Sequence, residues 1–445
     1  MINKRELQLL KTALEKLEEG ESGMPEFTPA FDEEAAADVL SRVAERMQDN
    51  YPYYHPQYAG QMLKPPHPVA RMAYALSLWV NPNNHALDGG RASSAMEKEC
   101  IVELGRMFGW DAPLGHLAGG GTMANLEALW VSGRLHPGKR VIASEQAHYT
   151  HSRLTEVLGI PFSAIGVDER GRMDVAAIEA QLVRGDVGTI VVTIGSTGLG
   201  ALDPLPAILD LRTKYEFRIH VDAAYGGYFG LASELDETSR SVFDVLGDVD
   251  SIVIDPHKHG LQPYGCGCVM FRDPSVGVLY KHDSPYTYFS SGDLHLGEIT
   301  LECSRPGASA VALWATQQLL PLVRGGEFAA SLDACLRAAR MFWHNLHNSS
   351  TFTPLMQPEL DIVVYAVNAA TTSESSVKAR QVFVEAAKRE LHLALIELPV
   401  DVVSRYAPAI DADSATVTCL RSVLMKPEHE NWLERITALL EASAL

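Results

Sequence analysis

No apolar run in this sequence reaches the roughly 18 residues that a membrane-spanning helix needs, and Lys4, Arg5 and Glu6 interrupt the first turn where a secretory leader would place its apolar core. Basic residues are scarce. Lys and Arg number 37 against 56 Asp and Glu, a formal charge of −19. A surface of that sign repels phosphate backbones and anionic lipid, and no cationic run offsets it, so neither nucleic acid nor a membrane is expected as a partner. Cysteine is sparse too: the six (Cys100, Cys266, Cys268, Cys303, Cys335, Cys419) include no C-x-x-C pair. That excludes a disulfide framework or zinc ribbon as the organising device and fits a reducing, cytoplasmic setting. Low-complexity tracts and internal repeats are absent, and 47% apolar with 21% charged residues is the composition of an ordinary globular chain.

At 445 residues the chain is too long for a single core of usual size, so a large domain with a smaller companion is expected. Residues 1–67 read as a helical arm and access segment. Leu7, Leu9, Leu10, Leu14 and Leu17 form a rough helical stripe over Lys4–Glu19, a second helix covers Glu33–Met47, and the prolines of Tyr51–Pro68 prevent a continuous third. Residues 68–325 alternate short β-branched runs with helical segments, the pattern of a mostly parallel sheet. Strands are expected at Arg140–Ala143, Thr189–Ile194, Arg218–Asp222, Ser251–Ile254 and Cys268–Phe271, and helices at Met123–Leu135, Met173–Leu182 and Leu205–Lys214. Residues 326–445 open with a long helix, Glu327–His344, continue through short strands and close with Asn431–Leu440, a smaller α+β domain.

Three segments carry chemistry. The strand Ser251–Ile254 ends in Asp255-Pro256-His257-Lys258, and a lysine beyond the carboxyl end of a strand in an open α/β sheet can reach a carbonyl-bearing ligand and form an imine. A second strand ends in Asp222, a carboxylate placed to face a buried cation or to cap a helix. Between them in importance, Gly119-Gly120-Gly121-Thr122 opens a helix, where free amides and a hydroxyl form either a phosphate cradle or a plain turn. No Gly-Lys-Ser/Thr follows and the spacing is not G-x-G-x-x-G, so nucleotide readings lose support. The spacings His148-x-x-His151 and His257-x-His259 suggest a metal, but no acidic or thiol ligand completes either cluster, and none is expected.

In this order, these segments resemble the fold-type I pyridoxal-5′-phosphate (PLP) enzymes, specifically the group II amino acid decarboxylases, over roughly residues 50–430. Asp255–Lys258 is similar to the family's Schiff-base motif, His220–Gly227 to its pyridinium-partner motif and Gly120–Asn125 to its phosphate loop. Ser144–His148 resembles the segment whose histidine stacks on the cofactor, Thr193–Pro204 the Gly-Thr-rich strand end, and His55–Gln61 the segment that admits substrate. The resemblance implies an α/β fold: a large, mostly parallel seven-stranded sheet sandwiched by helices, a small C-terminal α+β domain and a short N-terminal arm. It implies Lys258 as the cofactor-bearing lysine, Asp222 as the ring-nitrogen partner and His148 as the stacking and proton-handling group. Gly120, Gly121, Thr122 and His257 would face the phosphate, with Thr193, Ser196, Ala224 and Ser290 completing the cofactor contacts. Gln61 and Arg421 would bind substrate, although an internal salt bridge is the other reading of Arg421.

Tyr280–Ser291 has neither helical nor strand period and reads as an exposed or bridging loop. By resemblance it reaches a partner subunit's site, where Tyr286 or Tyr288 would return a proton to Cα; a packed dimer contact is the alternative. Arg305 is either structural or in contact with substrate. The implied activity is decarboxylation of an L-amino acid, aromatic such as tyrosine or acidic such as aspartate or glutamate, in a homodimer with shared sites. Other PLP reactions (aldehyde synthase, lyase, aminotransferase) and a non-catalytic PLP-binding relative are the rivals.

Overall fold

A computed structural model of the chain describes residues 4–20, 23–25, 27–28, 30–85, 89–281 and 300–444. Its centre is a seven-stranded sheet: β1 Leu114–Ala118, β2 Arg140–Ser144, β3 Phe162–Ile165, β4 Val187–Thr193, β5 Arg218–Asp222, β6 Ser251–Ile254 and β7 Gly267–Phe271, in the spatial order β1-β7-β6-β5-β4-β2-β3. β3, β2, β4, β5 and β6 pair in parallel, and β7 runs antiparallel between β6 and β1. Every residue of β4 is buried, as expected of a sheet covered on both faces, and the period of two sorts the side chains. Ile190 and Val192 join Ile219, Val221, Ile252 and Ile254 in one core, while Val191 packs with Val141, Ala143, Leu129 and Leu154 on the other face.

A second, antiparallel sheet of four strands, β8 Phe352–Pro354, β9 Ile362–Val367, β10 Ala394–Pro399 and β11 Thr416–Val423, has the order β10-β11-β9-β8. It packs Phe352, Val363, Tyr365 and Leu420 against Ala338, Phe342 and Leu346 of the helix Glu327–His347 and Ile436 of the helix His429–Ala442. The N-terminal helices Lys4–Glu19 and Glu33–Met47 bury no residue of their own. No helix among the described residues is long and apolar enough to cross a membrane.

The expected helix Met173–Leu182 begins at Val175, because Asp174 caps it by accepting the amides of Ala176 and Ala177. Leu205–Lys214 is helical only to Asp210 and tightens into a 3₁₀ turn at Leu211–Thr213. β4 starts two residues before the expected Thr189 and ends at Thr193, with Ile194 in an isolated bridge to Leu202. β1 and β3 were not expected: both are short, and Gly115 with His116 in the first break its apolar signal.

Candidate active site

The parallel strands end on one side of the sheet, and their carboxyl ends open into a cavity of about 530 Å³. β4 delivers Thr193, β5 delivers Asp222 and Ala224, and the turn after β6 delivers Asp255, His257 and Lys258. The loop after β1 supplies Gly119–Thr122, and His148 enters from the segment after β2.

Asp222 is buried, and three groups hold its charge. His151 Nε2 donates to Oδ2 at 2.8 Å, Asn125 Nδ2 to the same oxygen at 3.4 Å, and the Ala224 amide to Oδ1 at 3.1 Å. Burial alone would push the carboxyl up, but His151, with the Lys258 charge and the Ala224 amide, outweighs it and keeps Asp222 well below the usual carboxylate range. Behind it, His220 Nε2 donates to Asn125 Oδ1 at 2.8 Å while its Nδ1 meets Ser251 Oγ at 2.9 Å. Burial drives His220 down to about 3, so it stays neutral and orients Asn125 without competing for charge. His148 is likewise pushed down by burial; the Thr150 amide donates to its Nδ1 at 3.3 Å, which leaves the ring proton on Nε2.

Lys258 Nζ lies 3.3 Å from Asp255 Oδ2, and His257 Nε2 lies 3.6 Å from the same atom. His257 is further fixed by Nδ1, which donates to the Cys266 carbonyl at 2.8 Å, and by Tyr264, whose ring sits 4.8 Å away. Burial raises Asp255 despite Lys258 and His257 beside it. The glycine loop passes close over this turn: a Cβ on Gly121 would stand 2.7 Å from Asp255 Oδ2, and Gly120 has φ 152°, a conformation L side chains rarely adopt. The Gly119 amide donates to Glu302 Oε2 at 2.9 Å, and Glu302 lines the cavity.

Of the residues named from the sequence, Gly120, Gly121, Thr122, His148, Thr193, Asp222, Ala224, His257 and Lys258 all line this cavity. Ser196 does not; its hydroxyl accepts the Ala201 amide at 3.1 Å inside the turn after β4. Arg421 and Gln61 are not in the lining but meet each other at 3.3 Å beside it, and Arg421 also donates to the carbonyls of Thr197, a lining residue, at 2.7 Å and of Gly198 at 3.1 Å. Among the described residues its partners are dipoles rather than the carboxylate of an internal salt bridge. Arg305 is structural: it pairs with buried Glu97 at 2.8 Å and donates to the Leu117 carbonyl at 2.7 Å. Tyr286, Tyr288 and Ser290 lie outside the described residues, whereas Tyr280, expected in an exposed loop, is buried against Trp130. His151, considered in sequence only as half of a metal spacing, proves to be Asp222's partner; its position three residues after His148, where a helix begins, was the available signal. No group of three or more metal-ligating side chains occurs among the described residues.

The residues fit PLP. A buried carboxylate locked in its charged form faces the cavity, as a protonated pyridine nitrogen requires, and the glycine turn leaves a cradle that a side chain would fill. Thr193 Oγ1, buried without a protein partner among the described residues, is a free hydroxyl in the lining. The lysine stands in the same cavity.

Residues 55–368 match the family model described as the pyridoxal-dependent decarboxylase conserved domain. The chain is 29% identical over 364 residues to the L-aspartate decarboxylase of Thermococcus kodakarensis, covering 79% of this chain and 90% of that one. It is 27% identical to the L-aspartate/L-glutamate decarboxylase of Pyrococcus horikoshii (77% and 88% covered) and 29% identical to a probable L-tyrosine/L-aspartate decarboxylase of Methanothermobacter thermautotrophicus (69% and 82%). Among solved structures, mouse CSAD superposes with a TM-score of 0.79 at 20% identity (100% and 92% covered), and Oryza sativa TDC with PLP and tryptamine with 0.80 at 16% identity (98% and 97%). These two share the fold.

Proposed function

The chain belongs to the pyridoxal-dependent amino acid decarboxylases, and from that premise we propose that it removes the α-carboxylate of an acidic L-amino acid, L-aspartate first, as CO2. The observation that carries the chemistry is Lys258 and charged Asp222 on one cavity at the ends of adjacent strands. The acidic substrate is supported by relatives named for aspartate and for aspartate with glutamate; one named for tyrosine and aspartate makes tyrosine the second choice.

When bound, the cofactor supplies an aldehyde for the amino group and a cationic ring that takes up the electron pair of the breaking Cα–carboxylate bond. The protein's part is to hold and orient. Lys258 offers its amine, and Asp222, kept ionised by His151, keeps the ring nitrogen protonated. Gly120, Gly121, Thr122 and His257, all in the cavity lining, would hold the phosphate, while His148 presents a neutral ring and an Nε2 proton at the cavity wall. Gln61 and Arg421, joined to the cavity through the lining residue Thr197, would steer the substrate carboxylate, and Tyr286 or Tyr288 would return a proton to Cα. With the cofactor held there, the orientation these residues impose on the substrate would select decarboxylation over other PLP reactions.

A homodimer with shared sites is part of this reading. It is supported by Leu7, Leu9, Phe31, Leu40 and Trp79, large apolar side chains left exposed on and beside the N-terminal helices. A cytoplasmic setting is supported by the free state of all six cysteines. The test is borohydride reduction of the holoprotein with peptide mapping, followed by a panel of amino acids scored for CO2 and amine. Label on Lys258 and CO2 from aspartate support the reading. An unlabelled Lys258 overturns the site, and keto acid without CO2 overturns the reaction.

A further inference from the structure

The residue after Lys258 turns away from the cavity and into the body of the protein. His259 is buried, with its ring edge-on to Tyr225 at 4.9 Å and to Phe229 at 4.7 Å, and its Nε2 lies 3.1 Å from Oδ2 of Asp361. Asp361 belongs to the other sheet, immediately before β9. Its second oxygen, Oδ1, accepts the Tyr225 hydroxyl at 2.5 Å. Tyr225 stands three residues beyond Asp222 and His259 one beyond Lys258. One carboxylate at the edge of the C-terminal sheet therefore touches both loops of the active site: it hydrogen-bonds the one carrying the ring-nitrogen partner through Tyr225 and abuts the one carrying the lysine at His259.

Packing around this contact is close. Leu360 fills the space over the glycines of two neighbouring turns: a Cβ added at Gly195 or Gly226 would meet its Cδ1 at 3.0 or 3.1 Å. On the far side, the Leu424 amide donates to the Asp361 carbonyl at 2.8 Å, and the Val423 amide to the Ala59 carbonyl of the access segment at 2.8 Å. Cohesion alone does not call for a carboxylate here. Burying an ionised group costs several kcal/mol that its partners must offset, and well-packed apolar side chains of similar volume often do as well or better. What a carboxylate adds is direction: one oxygen accepts the Tyr225 hydroxyl while the other stands against the His259 ring, so each faces a different loop.

We propose that Asp361 is a positioning residue that, through His259 and Tyr225, sets where the Lys258 amine and the Asp222 carboxylate stand, so that the seating of the C-terminal sheet is transmitted to the cofactor site. This rests on the PLP reading above. Asp361 is not in the cavity lining, whereas Tyr225 is, so its effect is indirect.

The experiment compares wild-type holoenzyme with Asp361→Asn and Tyr225→Phe, the second removing a single oxygen. Three quantities are read: the ratio of visible to near-ultraviolet absorbance of the bound cofactor, the rate at which PLP is lost to a trap, and kcat and KM separately. The expected result is a changed absorbance ratio, PLP loss faster by about tenfold and kcat lower by about tenfold, with KM within about twofold, the scale of one charge-assisted hydrogen bond. The proposal is overturned if folded variants keep the wild-type absorbance ratio, PLP loss rate and kcat, whether or not melting temperature or KM changes. If Asp361→Asn does not fold, Tyr225→Phe decides on the same readouts. Failure of Lys258 to be labelled in the wild type would instead sink the cofactor reading itself.

Discussion

His151 Nε2 and Asp222 Oδ2 meet at 2.8 Å, both side chains buried, across the gap between the first turn of the helix Thr150–Leu158 and the end of β5. A carboxylate in that position would take up a proton rather than stay charged without help. The histidine supplies the help from the side away from the cavity, which leaves the carboxylate free to act on whatever enters. Asn125 and His220 extend the support to Ser251 on β6.

His151→Leu should therefore weaken the cofactor site without touching the cavity wall. Loss of one hydrogen bond to a charged group is worth about 1.5–3 kcal/mol, so PLP affinity of the apoenzyme should fall by about one to two powers of ten. Equilibrium titration with PLP reads this directly. Unchanged affinity would mean that Asp222 keeps its charge by other means.

Gly121→Ala tests the cradle. At the first turn of a helix alanine is the better residue by up to about 1 kcal/mol, so helix propensity predicts a gain. The added Cβ would stand 2.7 Å from Asp255 Oδ2, however, and must displace either the loop or the carboxylate beside Lys258. We expect PLP to bind at least about tenfold more weakly, from a clash of order 1–3 kcal/mol. Binding as tight as wild type would place the phosphate elsewhere.

The sheet and the site lysine were legible because their signals are local. The apolar run Ser251–Ile254 followed at once by Asp255-Pro256-His257-Lys258 states both a strand and its chemical end. β1 escaped notice because Gly115 and His116 interrupt its apolar face, the histidine being there to meet Glu127 at 2.8 Å rather than water. The spacing from His148 marked His151 but not its role, since its partner is 71 residues away and the parallel pairings of β2 with β4 and of β4 with β5 bring them together. Arg421 shows the same limit: a cation in an apolar strand demands partners, but nothing local says that these are the carbonyls of Thr197 and Gly198.

Lys426 should leave a mark on the pH dependence of stability. Its Nζ donates to the Tyr58 carbonyl at 2.7 Å, and burial, with the nearby charge of Lys64, lowers its pKa to about 7. An unfolded lysine titrates near about 10.4, so between those values the unfolded chain binds more protons than the folded one. Stability from this group then rises with pH across that window, and its cost is fully present below pH 7. The melting temperature of the wild type should gain more between pH 7 and pH 9 than that of Lys426→Met. Parallel curves for the two proteins would show that the amine is not held in its neutral form.

Glu97 and Arg305 form the buried ion pair at the root of the glycine loop, and its removal should be strongly asymmetric. Glu97 is fully buried; it accepts from Arg305 at 2.8 Å, from the Leu117 amide at 2.8 Å and from Asn84 Nδ2 at 2.6 Å, while Arg305 donates to the Leu117 carbonyl at 2.7 Å. Together the pair clamps both polar groups of the residue that leads into Ala118 and Gly119. Arg305→Met strands the carboxylate and should destabilise by about 3–5 kcal/mol, whereas adding Glu97→Gln to it should restore a large part of that loss. Denaturant unfolding of the two single variants and the double variant gives the coupling energy. If the double variant is as unstable as the sum of the singles, the pair holds the loop as two independent contacts and not as a charge-matched unit.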